Sequence, residues 1–185
     1  MNEKNKPDDC SCSSGCCGNI SDPDSGAVNV AKKEIIIDFL YLDLSVCTRC
    51  QGAEHSLDEA IKEVGIVLEA TGTAVKVNKI NVDSAELAVV HKFLSSPTIR
   101  VNGQDIQMDY KESLCESCGD LCGEQADCRV WIYQGREYDV PPKAMIIEGI
   151  LKAVYGGHLD AGTIEPQYVL PQNLRHFYEA MENKK

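Results

Sequence analysis

The sequence predicts an α/β domain, a mixed sheet flanked by helices, with a cysteine-rich insert and flexible tails. Three observations lead there. A near-continuous apolar run at residues 35–44 passes directly into a segment of helical period, the order of a buried strand followed by a helix. Asn102-Gly103 and Gln134-Gly135 each lie between short apolar segments, the signature of hairpin turns. The chain has 185 residues, 43% of them hydrophobic, which suits one domain with a sizeable core plus tails.

Taken in order, residues 1–33 are rich in Ser, Gly, Asp, Asn and Cys and lack apolar periodicity, so they read as a disordered, cysteine-containing tail. Residues 34–156 form the domain proper. Ile35, Ile36, Ile37, Phe39, Leu40, Leu42 and Leu44 suit a strand buried on both faces. From residue 51, Ala53, Leu57, Ala60, Ile61, Val64 and Leu68 recur at spacings of three and four, and Gly72 stops the helix. A second strand is expected over 74–82, with a bulge near Asn78 because the alternation changes phase between Val77 and Ile80.

Asp83 or Ser84 caps a short helix running to Leu94. A proline-headed strand, the Asn-Gly turn and a return strand over 104–108 follow, and then the insert, residues 112–128. The second hairpin precedes a helix opened by Pro141 or Pro142, with Ile146, Ile147, Ile150, Leu151 and Val154 as its apolar stripe. Residues 157–185 are a polar tail with one short helix, Leu174, Phe177, Tyr178 and Met181 at helical spacing, whose docking the pattern leaves open.

The formal charge of −11 argues against nucleic acid or an anionic membrane as a partner, since both would repel the chain. The N-terminus carries no apolar targeting core and no run is long enough to span a bilayer, so a cytoplasmic location is expected. In that reducing setting ten cysteines point to metal ligation or redox catalysis rather than structural bridges. The four histidines form no motif, and oligomeric state is not legible.

The thiols fall into three groups. Cys47-Thr48-Arg49-Cys50 sits where strand hands over to helix, so the helix dipole, the Arg49 charge and partial exposure all favour a thiolate on Cys47. Cys50, one turn in, would resolve a mixed disulfide. Cys115, Cys118, Cys122 and Cys128 supply four thiolates within fourteen residues, with Gly119 and Gly123 between them, a pattern suited to tetrahedral Zn²⁺ or to an iron–sulfur cluster. Cys10, Cys12, Cys16 and Cys17 could wrap a soft ion without a scaffold, or carry no dedicated function.

The element order, with Cys47-Thr48-Arg49-Cys50 after the first strand and Ser96-Pro97-Thr98 heading the third, resembles the thioredoxin-like fold over residues 34–156. Together with the four-cysteine insert before the Cys128-Arg129-Val130-Trp131 segment, it resembles an uncharacterised prokaryotic family of thioredoxin-like proteins. The resemblance implies that Pro97 is cis, lies against Cys47 and Cys50 and shares their catalytic corner, with the Ser96 backbone meeting a bound peptide or thiol. Tyr41 stands where thioredoxins carry a buried acid.

The leading expectation is therefore a thiol–disulfide redox protein working through Cys47, Cys50 and Pro97, with a protein or small-molecule thiol or disulfide as partner and a separate Cys₄ metal site. The alternative is a soft metal or metalloid binding protein (arsenic, mercury or zinc) without redox turnover. A weaker alternative is an enzyme resembling organomercurial lyases, using Cys47, Cys50 and Asp43, though Asp43 also reads as a solvated strand-end carboxylate.

Overall fold

The structure is a computed structural model that describes residues 33–156 and 167–184. The four N-terminal cysteines and His158 lie outside the described residues. Strand β1 (Lys33–Tyr41) runs parallel to β2 (Thr73–Asn81) on one side and antiparallel to β3 (Thr98–Val101) on the other, and β3 pairs with β4 (Gln104–Asp105), giving the order β2-β1-β3-β4. Strand alternation then splits the core in two. Ile35, Ile37 and Phe39 point at helices α1 (Thr48–Ala70) and α4 (Lys143–Tyr155), whose stripes Leu57, Ala60, Ile146 and Ile150 meet them. Leu40 and Leu42 belong to the opposite layer, with the short helix α2 (Ala85–Val90), α3 (Glu116–Cys122) and α5 (Gln172–Asn183).

The fold class is as expected, with local corrections. The first strand stops at Tyr41, not residue 44, because Asp43 Oδ1 accepts hydrogen bonds from Ser45 N–H, Val46 N–H and the Ser45 hydroxyl. Burial on both faces holds only toward the end of β1; Ile36 is exposed. The bulge expected near Asn78 is absent, since β1 and β2 stay in register from Lys33↔Thr73 to Tyr41↔Asn81. The phase change has another cause: Val75 and Val77 pack toward α1 and α4, while Ile80 packs into the opposite layer. Helix α2 is shorter than the expected span; Ser84 Oγ caps it by accepting from Leu87 N–H, and it ends at Val90. The return strand is only two residues long.

Both hairpin turns follow from left-handed backbone at paired residues, φ 51° and 82° at Asn102 and Gly103, φ 50° and 73° at Gln134 and Gly135. The insert is more structured than its composition indicates. It contains β5 (Lys111–Leu114) and α3, and β5 joins β6 (Asp127–Tyr133) and β7 (Arg136–Tyr138) in a three-stranded sheet. The Arg129 N–H donates to Ser96 O at 2.7 Å, tying β6 to the segment before Pro97. The Arg129 guanidinium is wholly buried, forked onto Asp105 at 2.9 and 2.7 Å, with Tyr110 and Trp131 against its faces. Helix α5 docks. Leu174, Phe177 and Tyr178 are buried, and Tyr178 donates from its hydroxyl to Val82 O at 2.9 Å.

Candidate metal centre

The loop between β1 and α1 is shaped so that Cys47 caps the helix. After the Asp43 turn, Gln51 Nε2 donates to Leu44 O at 2.9 Å, and extended Cys47 (φ −74°, ψ 105°) accepts the Cys50 N–H on its Sγ at 3.4 Å. Ordinary N-caps use oxygen in this role. A sulfur here takes the same orphan donor and gains the positive end of the helix dipole.

The insert presents its cysteines to this corner. Cys115 is the N-cap of α3 and extended, its N–H bonded to Ala126 O at 2.8 Å, while Cys118 follows one turn later and Cys128 faces them from β6. Cys47, Cys115, Cys118 and Cys128 place their sulfurs within 4.8 Å of one another, all buried. Cys47 and Cys115 are 4.0 Å apart and Cys118 and Cys128 3.3 Å. For a Zn–S bond of about 2.3 Å, a regular tetrahedron has sulfurs about 3.8 Å apart, so these separations bracket what a single ion needs.

The group joins three of the four insert cysteines expected from spacing to one of the pair expected to be catalytic. Cys122 stands outside it: its Sγ lies 3.4 Å from Glu124 O and 3.7 Å from Gly119 O. Cys50 is also outside it, fully buried, with Ser96 Oγ 3.4 Å from its sulfur. The Ser96–Pro97 bond is cis. The Ser96 carbonyl is engaged by β6, and the Ser96 hydroxyl accepts from Leu42 N–H at 3.1 Å. Asp43 Oδ1 is taken up by its own turn.

Two expectations about Cys47 change. It is fully buried rather than partly exposed, because α3 and β6 cover the strand end. Arg49 turns away from it toward the insert, with Nη1 on Ser113 Oγ at 3.0 Å, Nη2 on Leu114 O at 3.2 Å, longer contacts of 3.4 Å to Ser113 O and Cys128 O, and an ion pair with Asp139 at 2.7 Å. Arg49 is thus a clamp that holds β5 and the neighbouring β6 against the first turn of α1. No spacing rule marks it for that task.

The thiols themselves set the electrostatics. Hydrogen bonding from Cys115 first, then Cys118 and Cys128, holds the Cys47 thiol far below its ordinary range, against burial. Cys115 falls to about 7, mainly through Cys118 and Cys128. Cys50 is pushed up, first by its bond to Cys47 and then by burial, and Cys118 and Cys128 are pushed up, first by Cys115. These directions correspond to a buried Cys47 thiolate stabilised by the thiols around it, with Cys118 and Cys128 the neighbours that keep their protons. A divalent ion would let all four ionise, so the donor set fits a soft or borderline metal in chemistry as well as spacing.

Among the described residues, no helix is long and apolar enough to cross a membrane. A sequence model of the family described as Domain of unknown function (DUF2703) matches residues 35–150, which include the whole thiol group. No curated protein and no solved structure matches the chain.

Proposed function

We propose that this chain, which belongs to the DUF2703 family, is a thiolate metal-binding protein in which Cys47, Cys115, Cys118 and Cys128 hold one soft or borderline divalent ion, with zinc the best fit. The observation that carries the reading is the meeting of four buried sulfurs within 4.8 Å, contributed by two parts of the chain far apart in sequence. That spacing favours a single ion over a multinuclear iron–sulfur cluster, whose thiolates are distributed over separate irons. Four protein ligands leave no open position, so the ion would bind structurally or as cargo rather than act as a Lewis acid. When bound it would supply cross-linking of the insert to the first turn of α1.

The test is metal content of the reduced full-length protein, with Cys10, Cys12, Cys16 and Cys17 replaced by serine so that only the domain reports. One zinc per chain is expected. If binding of about 10–16 kcal/mol is shared among four ligands, losing one costs about 2.5–4 kcal/mol, or roughly 100- to 1000-fold in affinity. Cys47→Ser should show that loss and Cys122→Ser should not. Equal losses in both, or no bound metal in the reduced protein, would sink the assignment.

A second reading is thiol–disulfide exchange through Cys47 and Cys50, with Pro97 as the expected third member of the corner. It is supported by the Cys50 N–H held on Cys47 Sγ and by the Ser96 hydroxyl 3.4 Å from Cys50 Sγ. Full burial of Cys47 and the engagement of the Ser96 carbonyl by β6 weigh against a protein substrate. Turnover of a small disulfide by metal-free protein, lost in Cys47→Ser, is the readout that would favour it.

A further inference from the structure

Cys50 is a spare sulfur held against a ligand. It lies one turn beyond Cys47 and is wholly buried, its Sγ lies 3.4 Å from Ser96 Oγ, and its backbone N–H donates to Cys47 Sγ at 3.4 Å. It is not a member of the four-sulfur group. Pairing two ligands with each other would leave two thiolates on the ion. Pairing Cys47 with Cys50 would remove only one and leave Cys115, Cys118 and Cys128 in place.

We propose that Cys47 and Cys50 form a reversible oxidation site that governs metal retention, with a hydroperoxide as oxidant and a disulfide as product. The inference rests on the metal-binding reading above. The small oxidant follows from burial: Cys47 and Cys50 expose no surface, and an extended disulfide-bearing peptide would find the Ser96 carbonyl already bonded to Arg129 N–H.

The chemistry balances with the peroxide as sole co-reactant. Cys47 thiolate attacks one peroxide oxygen, the O–O bond breaks, and a sulfenic acid forms with release of hydroxide or alkoxide. The Cys50 thiol then attacks that sulfur. The S–S bond forms, the S–O bond breaks, and the departing hydroxide takes the Cys50 proton as water. Two thiol sulfurs lose two electrons and the peroxide gains them. A dithiol reductant reverses the step by exchange and restores the fourth ligand.

The experiment uses the reduced full-length chain carrying the four N-terminal serine substitutions, loaded with zinc and treated with one equivalent of hydrogen peroxide. A chromogenic chelator follows zinc release and peptide mass spectrometry locates the disulfide. The expected result is a Cys47–Cys50 bridge that appears together with zinc release, an affinity drop of roughly 100-fold or more, and recovery on adding dithiol. Cys50→Ala and Cys50→Ser, tested in parallel in case one folds poorly, should hold zinc when reduced and release it at least tenfold more slowly. A bridge confined to Cys115, Cys118 and Cys128, or Cys50 variants that release zinc at the unsubstituted rate, overturns the inference and leaves metal binding standing. Absence of zinc from the reduced starting protein overturns both.

Discussion

Replacing Arg49 by alanine removes the guanidinium that joins the first turn of α1 to the insert, and its effect can be sized from the contacts. Two are well formed, to Ser113 Oγ at 3.0 Å and Leu114 O at 3.2 Å; the two at 3.4 Å are long and count for little. A hydrogen bond from a charged donor contributes about 1.5–3 kcal/mol when its acceptor is sequestered. Water can replace Arg49 at the exposed Leu114 carbonyl, so the two bonds together are worth about 2 kcal/mol. The Asp139 partner is 66% exposed, which limits that ion pair to about 0–1 kcal/mol. The expected loss in urea unfolding of the metal-free reduced protein is therefore about 2–3 kcal/mol. If the ion binds only the docked insert, the same free energy lowers apparent zinc affinity by at most about 30- to 150-fold. Arg49→Lys, with the charge but not the fork, should recover less than half of either effect. A metal-free Arg49→Ala protein within about 0.5 kcal/mol of the parent would refute the clamp.

Two further outcomes follow from other contacts. Asp105→Ala leaves the buried Arg129 charge without its carboxylate, so unfolding free energy should fall by about 3–5 kcal/mol; a loss below about 1 kcal/mol would mean that the cation finds other solvation. The pH dependence of the metal-free protein has a worked sign. Cys47 and Cys115 titrate below their unfolded value of 9.0, so their contribution is present above pH 9 and shrinks as pH falls toward the Cys115 value of about 7. Cys50, Cys118 and Cys128 titrate above 9.0, so theirs is present below pH 9 and is lost as pH rises beyond it. Stability should climb from pH 7 to 9 and then decline, and denaturation in reducing buffer showing a flat or inverted profile would contradict this.

Much of the fold was legible because local pattern and global packing agree. The period of three and four in α1 and α4, and the turns at Asn102 and Gln134, are dictated by neighbours in sequence. What was missed depends on distant contacts. Cys115, Cys118, Cys122 and Cys128 read as a self-contained knot, yet Cys122 turns to backbone carbonyls at the end of α3 and Cys47 joins from 68 residues before Cys115. No local spacing encodes that replacement. Helix α5 showed its apolar stripe, but its receiving surface combines α2, α3 and the end of β2, so docking could not be read from the stripe alone.

The buried Arg129 fork gives the thiol pocket two mechanically different sides. Cys128 is the immediate neighbour of a residue fixed to Asp105 and Ser96 by contacts that involve no sulfur, and Cys47 is the N-cap of a 23-residue helix. Cys115 and Cys118 ride on a seven-residue helix whose N-cap has no side-chain bond. Amide hydrogens of α3 are therefore expected to exchange with solvent before those of β6 in the metal-free protein. An incoming ion would meet a preformed half-site at Cys47 and Cys128 and be enclosed as the other half closes on it. The off-rate would then be set by the opening of α3, a hatch whose stiffness could evolve without any change to the ligands.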